Sequence, residues 1–422
     1  MPERLTARVA SSPMHAPTSS FRPPRFIPAL EGMRALAALG VLTTHVAFQT
    51  RSVDGSVMGA IWGRLDLAVA LFFALSGFLL WRPHADAARG GRPAPGVRRY
   101  LRHRAVRILP AYVVVVVVVL ALVPAARGAN ATAWFANLTL LQVYVPYTLV
   151  AGLTQMWSLA VEVSFYAALP LLAWFLVRLR GSRARWRVPV MLVVAVVSLG
   201  WAFVAHRLPL ADGVSGTLWL PGYLPWFLAG TILAEVAVSD SGGHGLGGRL
   251  RRLSARRVPM AVVAVVVYAV ACTPVAGPSG LAAVSAPQFA VKTALGALLG
   301  WTLLAPLVLA PGHHRFLASA TMQTLGRWSY AIFIWHLAVL AVVFPLVGFA
   351  LFGGTMWSVW LVTVVVTVGV SAASYGLVEE PARRAMRDRE RRGRDRGGDS
   401  TTVASAATAT SAGSVTHQSN PV

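Results

Sequence analysis

The chain has 422 residues, 56% of them hydrophobic and only 13% charged. A soluble domain carries roughly 25% charged residues, so a soluble globular enzyme is excluded. The 38 Lys and Arg against 15 Asp and Glu give a formal net charge of +23; in a chain this apolar, the excess belongs to basic loops beside a membrane and not to a nucleic-acid surface. Cys272 is the single cysteine, which rules out an intramolecular disulfide. No CxxC, HExxH or clustered ligand spacing occurs, so no metal site is expected.

Residues 1–25 are rich in Pro, Ser and Arg without hydrophobic periodicity, and read as a disordered cytoplasmic arm. Ten apolar runs follow, near 30–49, 65–82, 108–124, 157–177, 188–206, 219–238, 258–276, 288–310, 328–349 and 356–378. Each approaches the ~20 residues a helix needs to cross a hydrocarbon core. The expected fold is therefore an all-α polytopic bundle of about ten transmembrane helices over residues 26–382. Residues 134–147, too short and broken at Pro146, belong to a loop or lie in the interface. From Arg383 an Arg/Asp run decays into Ser, Thr and Ala, which reads as a disordered tail over 383–422.

Arginine placement tests this topology. Alternate connections, counted from the first arm, hold 32 arginines, and the intervening ones hold 4. That split obeys the positive-inside rule with both termini cytoplasmic, and predicts a multi-pass protein of the inner (plasma) membrane.

Ionisable groups inside spans are costly and mark function by default. Arg34 and His45 lie eleven residues apart on the first span. Eleven steps of about 100° return to one face, roughly 16 Å along the axis. Two readings are open: a snorkelling arginine with a packed histidine, or one functional polar stripe. Glu162, one to two turns below the outer surface on the fourth span, falls at a depth similar to that of His45. A His–Glu pair supplies a general base, the carboxylate holding the imidazole tautomer; the alternative is a pair that only locks packing. Ser76 and Gly77 fit close helix packing. Arg98, Arg99, Arg102, Arg104 and Arg107 cluster at the inner face, where they serve either as topology signal or as a phosphate grip. His336 reads as a satisfied interhelical histidine in the inner half of the ninth span. Glu379 and Glu380, closing the tenth, are expected to pair with Arg383 or Arg384. His313 and His314 lack companions for a metal.

Taken together, EGMRALAALGVLTTH, FFALSGFLL, RxxRILPAY ending at Tyr112, WSLAVExxFY, YLPWFLAG, LGRWSYAIFIWH and SYGLVEEP resemble, in order, the blocks of the acyltransferase-3 family of membrane O-acyltransferases. The resemblance spans residues 26 to 384. It implies transfer of an acyl group, often acetyl, from cytoplasmic acyl-CoA as co-substrate to a hydroxyl of a cell-envelope glycan or of a secondary metabolite such as a macrolide. It needs no bound cofactor, and the partners are the bilayer, the donor and the acceptor. Carried onto this sequence, it implies His45 and Glu162 as catalytic and Arg34, Arg104 and Arg107 as donor-binding. Asp66, Ser76, Trp157, Tyr166, His336 and Glu379 would support them. Ala70 stands where the family commonly has Asp; Asp66 lies one turn earlier on the same face and is the expected substitute. Val163 and Ser164 follow Glu162 where the family often carries a second carboxylate. The hydrolase-like domain that some relatives append is not expected here. A proton-coupled exporter is the rival reading of buried Arg, His and Glu, although no inverted repeat is visible.

Overall fold

A computed structural model describes residues 26–238 and 246–392, apart from 281, 311, 313, 351 and 354. The expected N-terminal arm, most of the expected tail and His313 lie outside the described residues. Among those described, the chain is helical and contains no strand.

The first helices are α1 (Pro28–Gln49), α2 (Val57–Arg64), α3 (Ala68–Ala87), α4 (Val97–Leu122), α5 (Ala131–Leu138), α6 (Trp157–Val177) and α7 (Arg187–Leu199). They are followed by α8 (Trp201–Ala205), α9 (Leu220–Ala237), α10 (Leu246–Ser254), α11 (Arg257–Ala271), α12 (Ala286–Leu309), α13 (Ala320–Leu346) and α14 (Met356–Ser374). Local chemistry sets several starts. Ser56, Asn130 and Ser319 accept backbone N–H groups from the first turns of α2, α5 and α13, while Ser285 and Gln288 form a reciprocal capping box on α12. Pro28 and Pro221 occupy first-turn positions, where a missing N–H costs nothing.

Among the described residues, eight helices are long and apolar enough to cross a membrane, or nine if the α10–α11 pair, bent by 89°, counts as one. The expected all-α polytopic bundle is present, and the expected spans outside the count of eight are α1 and the α10–α11 pair. The first helix has 22 residues but carries Glu31, Arg34 and His45, so its composition falls short. The seventh expected span begins only after that bend, and α11 has 15 residues. Residues 134–147 form the end of α5 and a run of turns, as their length required. The last helix differs from expectation: after one wide turn at Tyr375–Glu379 it continues to Arg392. Arg383 and Arg384 reach back four residues to Glu379 and Glu380, and Arg387 also meets Glu380. Such i,i+4 pairs support helix where composition suggests coil.

Lipid contact explains the valine runs. Val113, Val114 and Val117 of α4 are exposed, whereas Tyr112, Val115, Val116 and Val119 are buried. The centre of the bundle is the α3–α9 pair, whose backbones touch. A methyl added at Gly230 would overlap the Ala74 carbonyl oxygen and come within 2.6 Å of the Phe78 nitrogen. Gly77 faces the Phe227 carbonyl in the same way. Small residues permit this approach, and close packing holds helices together where lipid offers no hydrophobic drive. The contact seats a three-ring stack: Phe73 on Phe227 at 4.3 Å and Phe227 on Phe165 at 4.1 Å between centroids. At the arginine-rich face, the buried Glu235 carboxylate accepts from Trp81 Nε1 at 2.9 Å and pairs with Arg89 at 2.7 Å. Buried Arg187 stands 3.7 Å from it.

Candidate active site

A cavity of about 250 Å³ opens among α1, α3, α4, α6 and α13. Arg34, Arg104 and Arg107 line it together with Glu31, Glu162, Ser76 and Tyr166, and Phe72, Phe73 and Phe333 form its apolar wall. Helical register explains this assembly. Arg104 and Arg107 lie three apart on α4 and share one face, whereas Arg99 and Arg102 turn to Glu390 on the extension of α14. The inner arginine run therefore divides between two tasks, which a loop reading does not distinguish.

Arg34 is held only loosely, its Nη1 standing 3.6 Å from Glu31 Oε1, so most of its five donors remain available to an anion. The guanidinium of Arg104 lies 5.9 Å from the Tyr166 ring centroid. Glu162 Oε1 accepts from the Ser76 hydroxyl and from the Tyr166 hydroxyl, the latter at 2.8 Å. Glu379 is 1% exposed, bonds Arg383 Nη2 at 2.8 Å, and acts electrostatically with Arg107 and Arg34 without lining the cavity. Tyr112 is buried and donates to the Asn137 carbonyl, tying α4 to α5.

The expected His45–Glu162 pair is absent. His45 instead meets His336, whose Nε2 lies 3.3 Å from His45 Nδ1, with ring centroids 5.0 Å apart. His45 Nδ1 also lies 2.8 Å from the Val41 carbonyl oxygen, and His336 Nδ1 lies 2.7 Å from that of Phe333. A carbonyl only accepts, so each Nδ1 carries the proton. His45 Nδ1–H donates to Val41 and is shared with the bare Nε2 of His336. In the neutral ring that leaves His45 Nε2 as the unprotonated nitrogen, the form a general base or nucleophile needs. Backbone carbonyls, not a carboxylate, set the tautomer. Phe333 lines the cavity and packs 5.8 Å from the His336 ring, connecting the two parts of the site.

Asp66 lies one turn before Ala70, and both face α12, where Gly300 approaches the Ala70 carbonyl. Asp66 itself is in the single tight turn before α3, and its Oδ2 is 2.5 Å from Lys292 Nζ on α12. Trp157 opens α6 and packs against Tyr223 at 4.8 Å. Sequence reasoning missed Lys292, Tyr223 and Glu235. A lone lysine inside an apolar span was the available signal for Lys292, and an acidic residue three from a span's end was the signal for Glu235. Among the described residues, no three His, Cys, Asp or Glu side chains cluster as a metal site would require.

The family model for the acyltransferase domain, acyltransferase type 3, matches residues 27–376. The chain is 28% identical over 396 residues to acyltransferase MdmB of Streptomyces mycarofaciens, covering 86% of this chain and 94% of that protein. It is 22% identical over 385 residues to O-acetyltransferase OatA of Staphylococcus aureus and spans 58% of its length. It is 26% identical over 388 residues to the putative peptidoglycan O-acetyltransferase YrhL of Bacillus subtilis, spanning 55% of it. No solved structure matches. With a family match over residues 27–376, most of its length, the chain belongs to the acyltransferase-3 family of membrane acyltransferases.

Proposed function

We propose that the protein transfers an acyl group, acetyl foremost, from acyl-CoA to a hydroxyl of a carbohydrate or of a secondary metabolite such as a macrolide. The reaction takes place in the plasma membrane with the arginine-rich face cytoplasmic. The observation that carries this reading is the pairing of a three-arginine cavity with an imidazole whose Nε2 is bare. Arg34, Arg104 and Arg107 bind the donor's phosphates by charge-assisted hydrogen bonds. The pantetheine arm runs along the Phe72–Phe333 wall and brings the thioester toward His45.

The acceptor's O–H proton passes to His45 Nε2 as its oxygen attacks the thioester carbonyl carbon. The C–S bond breaks, and the departing thiolate takes up a proton, giving ester and CoA-SH with no net proton change. His336 accepts from the Nδ1–H that becomes more acidic as the imidazolium forms, which stabilises that state. Glu162, held by Ser76 and Tyr166, anchors the arginine end and keeps the cavity polar.

The test is acetyl transfer by purified protein in lipid nanodiscs. Loss of a general base costs about 10²–10⁴ in rate, so His45→Ala is expected to lose at least a hundredfold in kcat while binding acetyl-CoA normally. Near-normal turnover by that variant overturns the proposal.

A further inference from the structure

Where the extension of α14 passes the start of α4, the two helices border a groove of about 780 Å³. Arg98, Arg99 and Arg102 of α4 line it, together with Arg389 and Glu390 of the extension. Glu390 is fully engaged. Its Oε1 accepts from Arg102 at 2.8 Å and from His103 at 2.9 Å, and its Oε2 accepts from Arg99 at 3.0 Å. One carboxylate thus answers four guanidiniums, which leaves the groove with a net charge of +3 before His103 is counted. Arg98 and Arg389 have no acidic partner among the described residues.

Helical register shows which way the groove opens. Steps of about 100° per residue place Arg98, Leu101, Arg102 and Leu109 within one arc of roughly 100° on α4. Leu101 and Leu109 are exposed, as the lipid-facing side of a membrane span is. Arg104 stands about 160° round the helix from Arg102, and Arg107 about 180° from Arg98; these two line the cavity instead. The groove therefore opens toward the bilayer and away from the donor cavity. Its α4 arginines stand at the arginine-rich end of a span, where long basic side chains reach the level of lipid phosphates. They are also accessible: Arg99 and Arg102 keep 47% and 57% side-chain exposure while holding Glu390.

This chemistry selects its occupant. Guanidiniums bind phosphate oxygens through paired, charge-assisted N–H donors. A zwitterionic lipid head brings a cation that the groove's positive charge repels, whereas an anionic head brings only the phosphate charge. A soluble phosphate has no acyl chains to lie along Leu101 and Leu109. We propose that this groove binds the headgroup of an anionic phospholipid, held between the arginines of α4 and Arg389 of the extension. The lipid completes what Glu390 begins: its phosphate gives Arg98 and Arg389 a shared partner and ties the extension to α4. The site lies outside the acyl-transfer machinery and does not depend on that reading.

The experiment titrates the full chain in detergent with phosphatidylglycerol, or with phosphatidylcholine of the same acyl chains, and counts bound lipid by native mass spectrometry. Wild type is expected to retain one phosphatidylglycerol at least tenfold more tightly than phosphatidylcholine. Arg98→Gln combined with Arg389→Gln should cut that preference to twofold or less. Arg183→Gln combined with Arg252→Gln is the control, because it removes the same charge from exposed positions outside the groove; it should keep the preference. Unchanged thermal unfolding checks that each variant is folded. The proposal is overturned if wild type binds the two lipids alike, if the groove pair keeps the preference, or if the control pair loses it equally. A groove pair that keeps its lipid but binds acetyl-CoA tenfold more weakly assigns the groove to the donor instead. Displacement of phosphatidylglycerol by an equal concentration of glycerol phosphate makes the occupant a soluble phosphate, which also overturns the proposal.

Discussion

Replacing Gly230 by alanine tests whether the α3–α9 backbone contact is the rigid centre of the bundle. The new methyl meets the Ala74 carbonyl group and the Phe78 nitrogen of the facing helix, both backbone, with its carbon 2.7 Å from the Ala74 carbonyl carbon. Neither neighbour is a flexible side-chain end, so the helices must separate by on the order of 1 Å to restore ordinary contact. Overpacking of this kind costs about 1–3 kcal/mol, and the loss of the stacked Phe73–Phe227 contact at 4.3 Å puts the change at the upper end. At about 2–4 °C per kcal/mol for domains of a few hundred residues, the apparent unfolding temperature should fall by roughly 5 °C or more. The assay is thermal unfolding in detergent at one fixed scan rate, because membrane proteins seldom unfold reversibly. Gly369→Ala is the internal control: it lies on α14, and an added methyl there meets nothing within 4 Å. A helix-interior Gly→Ala change gains roughly 0.5–1 kcal/mol, so this variant should melt at or above wild type. If Gly230→Ala melts with wild type, or if Gly369→Ala falls as far, the contact does not determine stability and the reasoning is wrong.

Other perturbations address the charges. Arg34→Ala removes a cavity guanidinium that Glu31 engages only at 3.6 Å; with charge-assisted bonds worth about 1.5–3 kcal/mol, acetyl-CoA affinity should weaken roughly 10–100-fold by calorimetry. Unchanged affinity removes Arg34 from the donor site. Glu235→Ala strands buried Arg187 and Arg89 without their carboxylate, a change that costs about 3–5 kcal/mol; little folded protein should survive extraction, and a wild-type yield would contradict the burial argument. Glu390→Gln releases the clasp to Arg99 and Arg102. Exposed pairs contribute about 0–1 kcal/mol, so the unfolding temperature should hold while an arginine-specific protease cuts the helical extension faster. Equal cleavage rates would show that the extension is held by other contacts.

Arginine asymmetry and the valine runs made the membrane fold legible, because both follow from one-dimensional rules of charge and length. Partner choice across the bundle did not follow from such rules. Depth alone put Glu162 beside His45, but depth carries no azimuth, and α6 turns that carboxylate toward Ser76 and the arginines. His336 was assigned to the inner half because its apolar run begins at 328, whereas α13 starts at Ala320 behind the Ser319 cap. Eight polar-leaning residues, about 12 Å of helix, carry His336 outward to the level of His45. The extension past Glu380 was hidden because its arginines read as topology signal, while their glutamate partners sit one turn away.

Arg34 and His45 ride the same uninterrupted helix. Their separation is therefore a fixed gauge that no loop or hinge can adjust. On the proposed reading, the donor matches that length between its charged head and its reacting carbon, and a longer acyl chain needs room beyond the imidazole. One residue inserted between them would swing His45 by about 100°, so evolution can retune the acceptor side freely only while this span keeps its count.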